Sequence, residues 1–240
     1  GQFAYPLFIV PGNPAHAELD VVDLTVPSTP TIVGRLAFAG SGAGVAVAGS
    51  LAYVASNGLQ VVDVSSPTAP RVLGSLPTTT GSQGVAVANG YAYLADTSAT
   101  EIIDVSTPSR PVLVSSIATV NAQSVAVVGS RLYVLDGGLL KIFSVATASA
   151  PLQLGTATTY GALSVAVTGS TVFLAAPAVS HVSPPGDVGG VYVLDASVAS
   201  APRLLKHVSV PGRTHAVATA GTAAFAADTA GIVDVIGMEP

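Results

Sequence analysis

The sequence predicts an all-β fold, a β-propeller, and three observations carry that expectation. Tyr53-Val54-Ala55, Tyr93-Leu94-Ala95, Tyr133-Val134-Leu135 and Phe173-Leu174-Ala175 recur at intervals of forty residues. The apolar runs have strand length and are separated by Gly-, Asn-, Ser- and Pro-rich turns, with no sustained 3.6-residue period that would indicate helices. Each period holds four such runs, and four antiparallel strands in about forty residues make one propeller blade.

The copy beginning at Gly84 shows the elements in order. Gly84 to Ala88 reads as a short inner strand, a, and Asn89-Gly90 as a two-residue turn that wants positive φ. Tyr91 to Ala95 is strand b, Asp96 to Thr100 a turn, and Glu101 to Val105 strand c. The corner Ser106-Thr107-Pro108-Ser109-Arg110-Pro111 cannot continue a ladder, because proline has no donor. Val112 to Ile117 then forms strand d.

Other copies repeat each part. The a–b turn recurs as Gly49-Ser50, Gly129-Ser130, Gly169-Ser170 and Gly221-Thr222. Strand c carries an aspartate column, Asp23, Asp63, Asp104, Asp195 and Asp234, which Ser144 interrupts. Five copies place a proline seven residues after that column: Pro30, Pro70, Pro111, Pro151 and Pro202. The strand-b aromatic column reads Phe8, Tyr53, Tyr93, Tyr133, Phe173 and Phe225. Alternating Val and Ala on strand a, with larger rings one strand out, suits blades that taper towards an axis.

The count is six b and six c strands but five a and five d strands. The expectation is therefore one domain over 1–240 with six four-stranded blades, the closing pair incomplete. Approximate repeats are 1–43, 44–83, 84–123, 124–163, 164–214 and 215–240. Seven blades in a longer protein is the other count that this period allows.

Composition excludes several functions. Half of the 240 residues are apolar and 9% are charged, against the usual quarter, which suits strands buried on both faces. Net charge is −5 and the lysines are Lys141 and Lys206, so no basic cluster is present to neutralise phosphates; nucleic acid is not an expected partner. No apolar stretch approaches the roughly 20 residues of a membrane-spanning helix, so a soluble chain is expected. With no cysteine, disulfides, thiol nucleophiles and thiolate metal sites are all excluded.

The runs LDVVDLTVP (19–27), LQVVDVSSP (59–67) and TEIIDVSTP (100–108) resemble the LVIVD repeat, found in β-propeller-like bacterial and archaeal surface proteins. The preceding GVAVAGSLAYVA is also similar to NHL and YVTN propeller repeats. The resemblance covers almost the whole chain and implies a secreted, cell-surface or periplasmic location. It supplies no catalytic residues.

Function is sought where copies depart from the period, since loops on a rigid frame carry function. Strands alternate in direction, so the b–c and d–a loops share one face, and there two b–c connections are enlarged: 11–18, with His16, and 177–190, with His181 and Asp187. The sixth copy adds Arg213 and His215 before strand a and Asp228 after strand b. His16, His181 and His215 are candidate ligands for a metal such as zinc, and His215, Arg213 and Asp228 candidate catalytic residues. No H-x-x-x-H or H-E-x-x-H spacing supports them, and the plainer reading is histidines on solvated loops. The position before strand a holds Ala43, Gln83, Gln123, Leu163 and His215, which could grip a small polar ligand; His181 and Asp187 join this candidate binding set. Asp96, Asp136 and Asp228 read as turn carboxylates accepting nearby amides, with calcium ligation as the alternative. No nucleophile elbow, P-loop or dinucleotide fingerprint is present.

The expected function is a non-catalytic extracytoplasmic module that binds a protein or glycan partner, with no cofactor. The alternative is a propeller hydrolase, lyase or isomerase with a pocket near these histidines.

Overall fold

A computed structural model describes residues 2–11, 16–40, 42–78, 81–177, 189–210, 213–221, 223–229 and 231–237. The chain divides into two compact units, Gly1–Thr119 and Val120–Pro240. Each contributes three antiparallel sheets, and the fold is a β-propeller of six blades.

In the first unit, blade 1 comprises β1 (Phe3–Ala4), β2 (Leu7–Val10), β3 (His16–Asp23) and β4 (Thr31–Ala39). Blade 2 is the meander β5 (Gly42–Ala48), β6 (Leu51–Ser56), β7 (Gly58–Asp63) and β8 (Arg71–Pro77). Blade 3 repeats it with β9 (Ser82–Ala88), β10 (Tyr91–Asp96), β11 (Ala99–Asp104) and β12 (Val112–Ala118). In the second unit, blade 4 comprises β13 (Ala122–Val128), β14 (Arg131–Asp136), β15 (Leu139–Ser144) and β16 (Leu152–Thr158). Blade 5 comprises β17 (Ser164–Thr168), β18 (Thr171–Ala176), β19 (Gly190–Asp195) and β20 (Arg203–Ser209). Among the described residues blade 6 has three strands, β21 (Thr214–Ala220), β22 (Ala223–Asp228) and β23 (Val233–Gly237).

Blade 1 has no a strand among the described residues, and its b strand is split into β1 and β2, both paired with β3. Pro6 makes the break. The pairs Ala4–Val22 and Leu7–Leu19 set Tyr5 opposite Val21, the place that Tyr53 takes opposite Val61 in blade 2. The aromatic of blade 1 is thus Tyr5, which packs on the core between blades 1 and 2, and the expected Phe8 is 50% exposed. Blade 6 brings a second correction. Ala223 pairs with Gly237, so Gly237 occupies the aspartate column, and Asp234, paired with Ala226, lies three residues away from it. His16, Ala17 and Glu18, expected within an inserted loop, open β3 instead.

Blades 2 to 5 bury most of their b and c strands. Tyr93, Tyr133 and Phe173 are fully buried, as are Leu94, Ile102, Leu132 and Ile142. Close approach also explains a glycine column on strand d. A Cβ on Gly34 would stand 2.1 Å from the Pro67 carbonyl oxygen of the next blade's c–d corner; on Gly74, 2.6 Å from that of Pro108; on Gly155, 2.0 Å from that of Ala199. The strand-c aspartates tie that corner down. Asp23, Asp63, Asp104 and Asp195 accept the amides of Thr25, Ser65, Ser106 and Ser197 at 2.8–3.0 Å. Arg71 and Arg203 pair across the ladder with Asp63 and Asp195 at 3.0 and 3.2 Å.

Candidate functional site

The candidate site is built on a β-bulge that recurs at the start of strand a. In blade 3, Ser82 pairs with Asp96 and Gly84 with Ala95, leaving Gln83 unpaired. Ala43, Gln123 and His215 are left out of their ladders in the same way. A bulge turns one side chain away from the regular alternation. The residue before it is therefore buried (Ser82, Ala122, Thr214), whereas Gln83 and His215 are exposed and Gln123 half-buried.

Hydrogen bonds between blades set these residues in a row. The Val165 amide donates to Ser124 Oγ and the Val217 amide to Ser164 Oγ, each at 3.2 Å. Strands β13, β17 and β21 therefore run side by side, and Gln123, Leu163 and His215, one position before Ser124, Ser164 and Ala216, follow each other across three blades. In the first unit glycine does the same work: a Cβ on Gly44 would lie 3.0 Å from Gly84 Cα. Ala43 and Gln83 are neighbours there.

The turn carboxylates beside this row are engaged. Asp136 Oδ1 accepts the Val120 and Asn121 amides at 2.8 Å, and Oδ2 accepts Lys141 Nζ at 2.5 Å. Burial pushes the Asp136 carboxyl up, but Lys141 and the two amides outweigh it and hold it below the ordinary 3.8. Asp96 accepts the Thr97 amide, and Asp228 closes its turn by accepting the Ile232 amide at 2.9 Å. The Gly58 amide of blade 2 donates to Ser82 Oγ of blade 3 at 2.9 Å. Glu101 on β11 has its carboxyl raised by burial and then by the neighbouring Asp96 charge.

Of the candidate residues, Arg213, His215 and Asp228 share the end of one hairpin. Thr214 pairs with Asp228, and the Thr229 amide donates to the Arg213 carbonyl at 3.0 Å. Arg213 and His215 are exposed. His16 stands in the first unit, half-buried, paired with Val10 and bridged to Gly40. His181 and Asp187 lie outside the described residues. Among the described residues, no three His, Cys, Asp or Glu side chains gather closely enough to hold a metal ion.

One feature escaped sequence reasoning. Tyr192 stacks between Tyr160 and His207, with ring centroids 4.2 and 4.3 Å away and interplanar angles of 6° and 20°. Tyr160 comes from the d–a connection of blade 4 at φ 55°, Tyr192 from β19 and His207 from β20. The pair Tyr192–His207 is directly cross-strand, which a correct c–d register would have revealed. A shallow pocket of about 360 Å³ lies elsewhere, at the blade 5 corner along Asp195, Ser197, Val198, Ala201 and Arg203. Its carboxylate is committed to Ser197 and Arg203, so it is a product of corner packing.

The fold and this bulged rim define a β-propeller repeat protein. Residues 39–78 and 81–119 match the family model of the LVIVD repeat, so the chain carries two LVIVD repeats, in the copies whose LQVVDVSSP and TEIIDVSTP runs are most regular. No curated protein sequence matches it significantly. Among solved structures it is similar to the Cps50 (Swd1) β-propeller domain of Myceliophteria thermophila, at 15% identity over 94% of this chain and 80% of that one, TM-score 0.68. It is similar to a Lactobacillus plantarum protein at 16% identity, 92% and 76% coverage and TM-score 0.71. A chain of the nidogen/laminin complex aligns at 14% identity, 97% and 89% coverage and TM-score 0.60. At such identities these likenesses show the fold alone.

Proposed function

We propose that this chain is a non-catalytic recognition module, displayed outside the cytoplasm, which binds a protein or glycan partner through its b–c and d–a loops. The row Gln123–Leu163–His215 carries this reading. It is a set of dissimilar side chains at one repeated position, Gln123 and His215 set off the sheet by bulges, on a frame whose repeated polar groups are consumed by turn hydrogen bonds. Variation at fixed positions on a rigid scaffold is how repeat proteins set specificity. The stacked rings of Tyr160, Tyr192 and His207 add an aromatic cluster whose exposed member is His207, with Tyr192 buried between its two partners. The extracytoplasmic location rests on the LVIVD resemblance.

The test is binding of the purified chain to a glycan array and to extracellular-matrix and cell-envelope proteins. Parent protein should retain a discrete subset of ligands, and a Gln123→Ala/His215→Ala variant should lose at least tenfold in affinity with Tm unchanged. Equal binding by parent and variant would remove the row from the function. A second reading, catalysis, is favoured by the convergence of Arg213, His215 and Asp228 on one hairpin end. Turnover of hydrolase, lyase or isomerase substrates that Arg213→Ala and His215→Ala abolish would replace the recognition reading.

A further inference from the structure

We infer that the Asn89-Gly90 turn of blade 3 is a self-modifying site, at which the Asn89 amide is converted without an enzyme into a carboxylate. The first observation is a substitution within the repeat. The turn from strand a to strand b begins with Gly49, Gly129, Gly169 and Gly221 in blades 2, 4, 5 and 6, all at φ between 57° and 61°. Asn89 takes that place in blade 3 and adopts the same left-handed conformation, at φ 54°. Glycine reaches this region without strain, whereas asparagine is held there by the closing pair Ala88–Tyr91. Asn89 and Gly90 are both exposed and stand between β9 and β10, outside the ladder. Hairpin tips of this kind open locally far more often than the sheet unfolds.

The second observation is a matched pair within the same unit. Asn57-Gly58 is the other Asn-Gly pair in the sequence, and Asn57 also has a left-handed φ, 48°. Gly58, however, is buried, and its amide donates to Ser82 Oγ at 2.9 Å. Asn57 Nδ2 donates to the Ala39 carbonyl at 3.3 Å and lies against Gly40. Both reacting groups are tied down at 57–58, whereas Gly90 is exposed.

The chemistry follows from the two residues. When the tip opens, the Gly90 amide nitrogen gives its proton to solvent base and attacks Asn89 Cγ. A C–N bond forms, the Cγ–Nδ2 bond breaks, and the nitrogen leaves as ammonia with a proton returned from solvent. Water then adds to either carbonyl of the cyclic imide, which opens to aspartate or isoaspartate. Glycine suits the second position because it has no Cβ to hinder the attack. At Asn57 the same step must first pull the buried Gly58 donor from its acceptor, which leaves a buried polar group unsatisfied. Conversion at Asn89 adds one negative charge to a chain that already carries −5, and the isoaspartate product lengthens the main chain inside a two-residue turn.

Incubating the purified full chain at mildly alkaline pH and mapping its peptides by mass spectrometry tests this. Asn89 should convert to a mixture of aspartate and isoaspartate at least about tenfold faster than Asn57, with one new acidic band in isoelectric focusing. In concentrated urea, where Ser82 and Ala39 no longer restrain Asn57-Gly58, the two rates should converge. Asn89→Gly, the residue of the other four turns, should keep Tm and remove the acidic band. A native chain in which Asn57 converts as fast as Asn89, or in which Asn89 persists while the unfolded chain converts, overturns the inference. So does an acidic band that survives Asn89→Gly.

Discussion

Asp136 shows how a residue on the loop face becomes structural. Its carboxylate is fully buried, and it survives there as an ion because one oxygen takes two amides and the other takes Lys141. Removing one partner of such a pair leaves the other uncompensated. Asp136→Asn should cost about 3 kcal/mol in urea unfolding. Glu101 is the opposite case, since burial and Asp96 raise its carboxyl above the ordinary 4.5. A raised carboxylate stabilises the fold while protonated and loses that contribution as pH rises through its folded value. Glu101→Gln should therefore raise stability at pH 7, by up to about 1 kcal/mol after solvent screening, and leave it unchanged near pH 3. Equal Tm gains at both pH values would contradict this assignment.

At the scale of the element, blades are joined by close backbone approach as much as by side chains. Gly155 lies against the Ala199 carbonyl, so Gly155→Val should cost about 3 kcal/mol or prevent folding, whereas Gly169→Val, with nothing near its Cβ, should cost only the strain of its φ of 57°. The register of blade 1 gives a second measurement. Tyr93→Ala should cost about 3–5 kcal/mol, whereas Phe8→Ala should stay within about 0.5 kcal/mol. A large effect at Phe8 would restore it to the aromatic column. Misreading Phe8 has a plain cause: Phe8-Ile9-Val10 looks like Tyr53-Val54-Ala55, and only the pairing with β3 shows that the chain is already three residues further along. Asp234 was misplaced the same way, since the b–c turn of blade 6 is longer than the Asp136-Gly137-Gly138 turn.

Over the whole molecule, charge is sparse but systematically placed. The carboxyls of Asp23, Asp63 and Asp104 are lowered chiefly by the hydroxyls of Thr25, Ser65 and Ser106, and that of Asp195 by the Ser197 amide. Asp136 is lowered as well, its Lys141 and amide bonds exceeding the cost of burial. A lowered carboxylate stabilises the fold above its ordinary value of 3.8 and loses that contribution as pH falls through the folded value. Thermal stability should thus be flat from about pH 5 to 7 and fall below about pH 4, with loss of the corner bonds visible at the Ser65, Ser106 and Ser197 amides. A Tm that stays constant down to pH 2 would show that the corners do not depend on their aspartates.

The blade count, the strand order within each blade, the corners and the turn roles of Asp96 and Asp136 can all be read from the forty-residue period, because they are local: turn chemistry and alternation repeat with the chain. The Gln123–Leu163–His215 row, the Tyr160–Tyr192–His207 stack and the place of Tyr5 cannot. They depend on which residue of one strand stands opposite which residue of another. A bulge or a turn that is longer by a few residues changes that pairing without disturbing the local pattern.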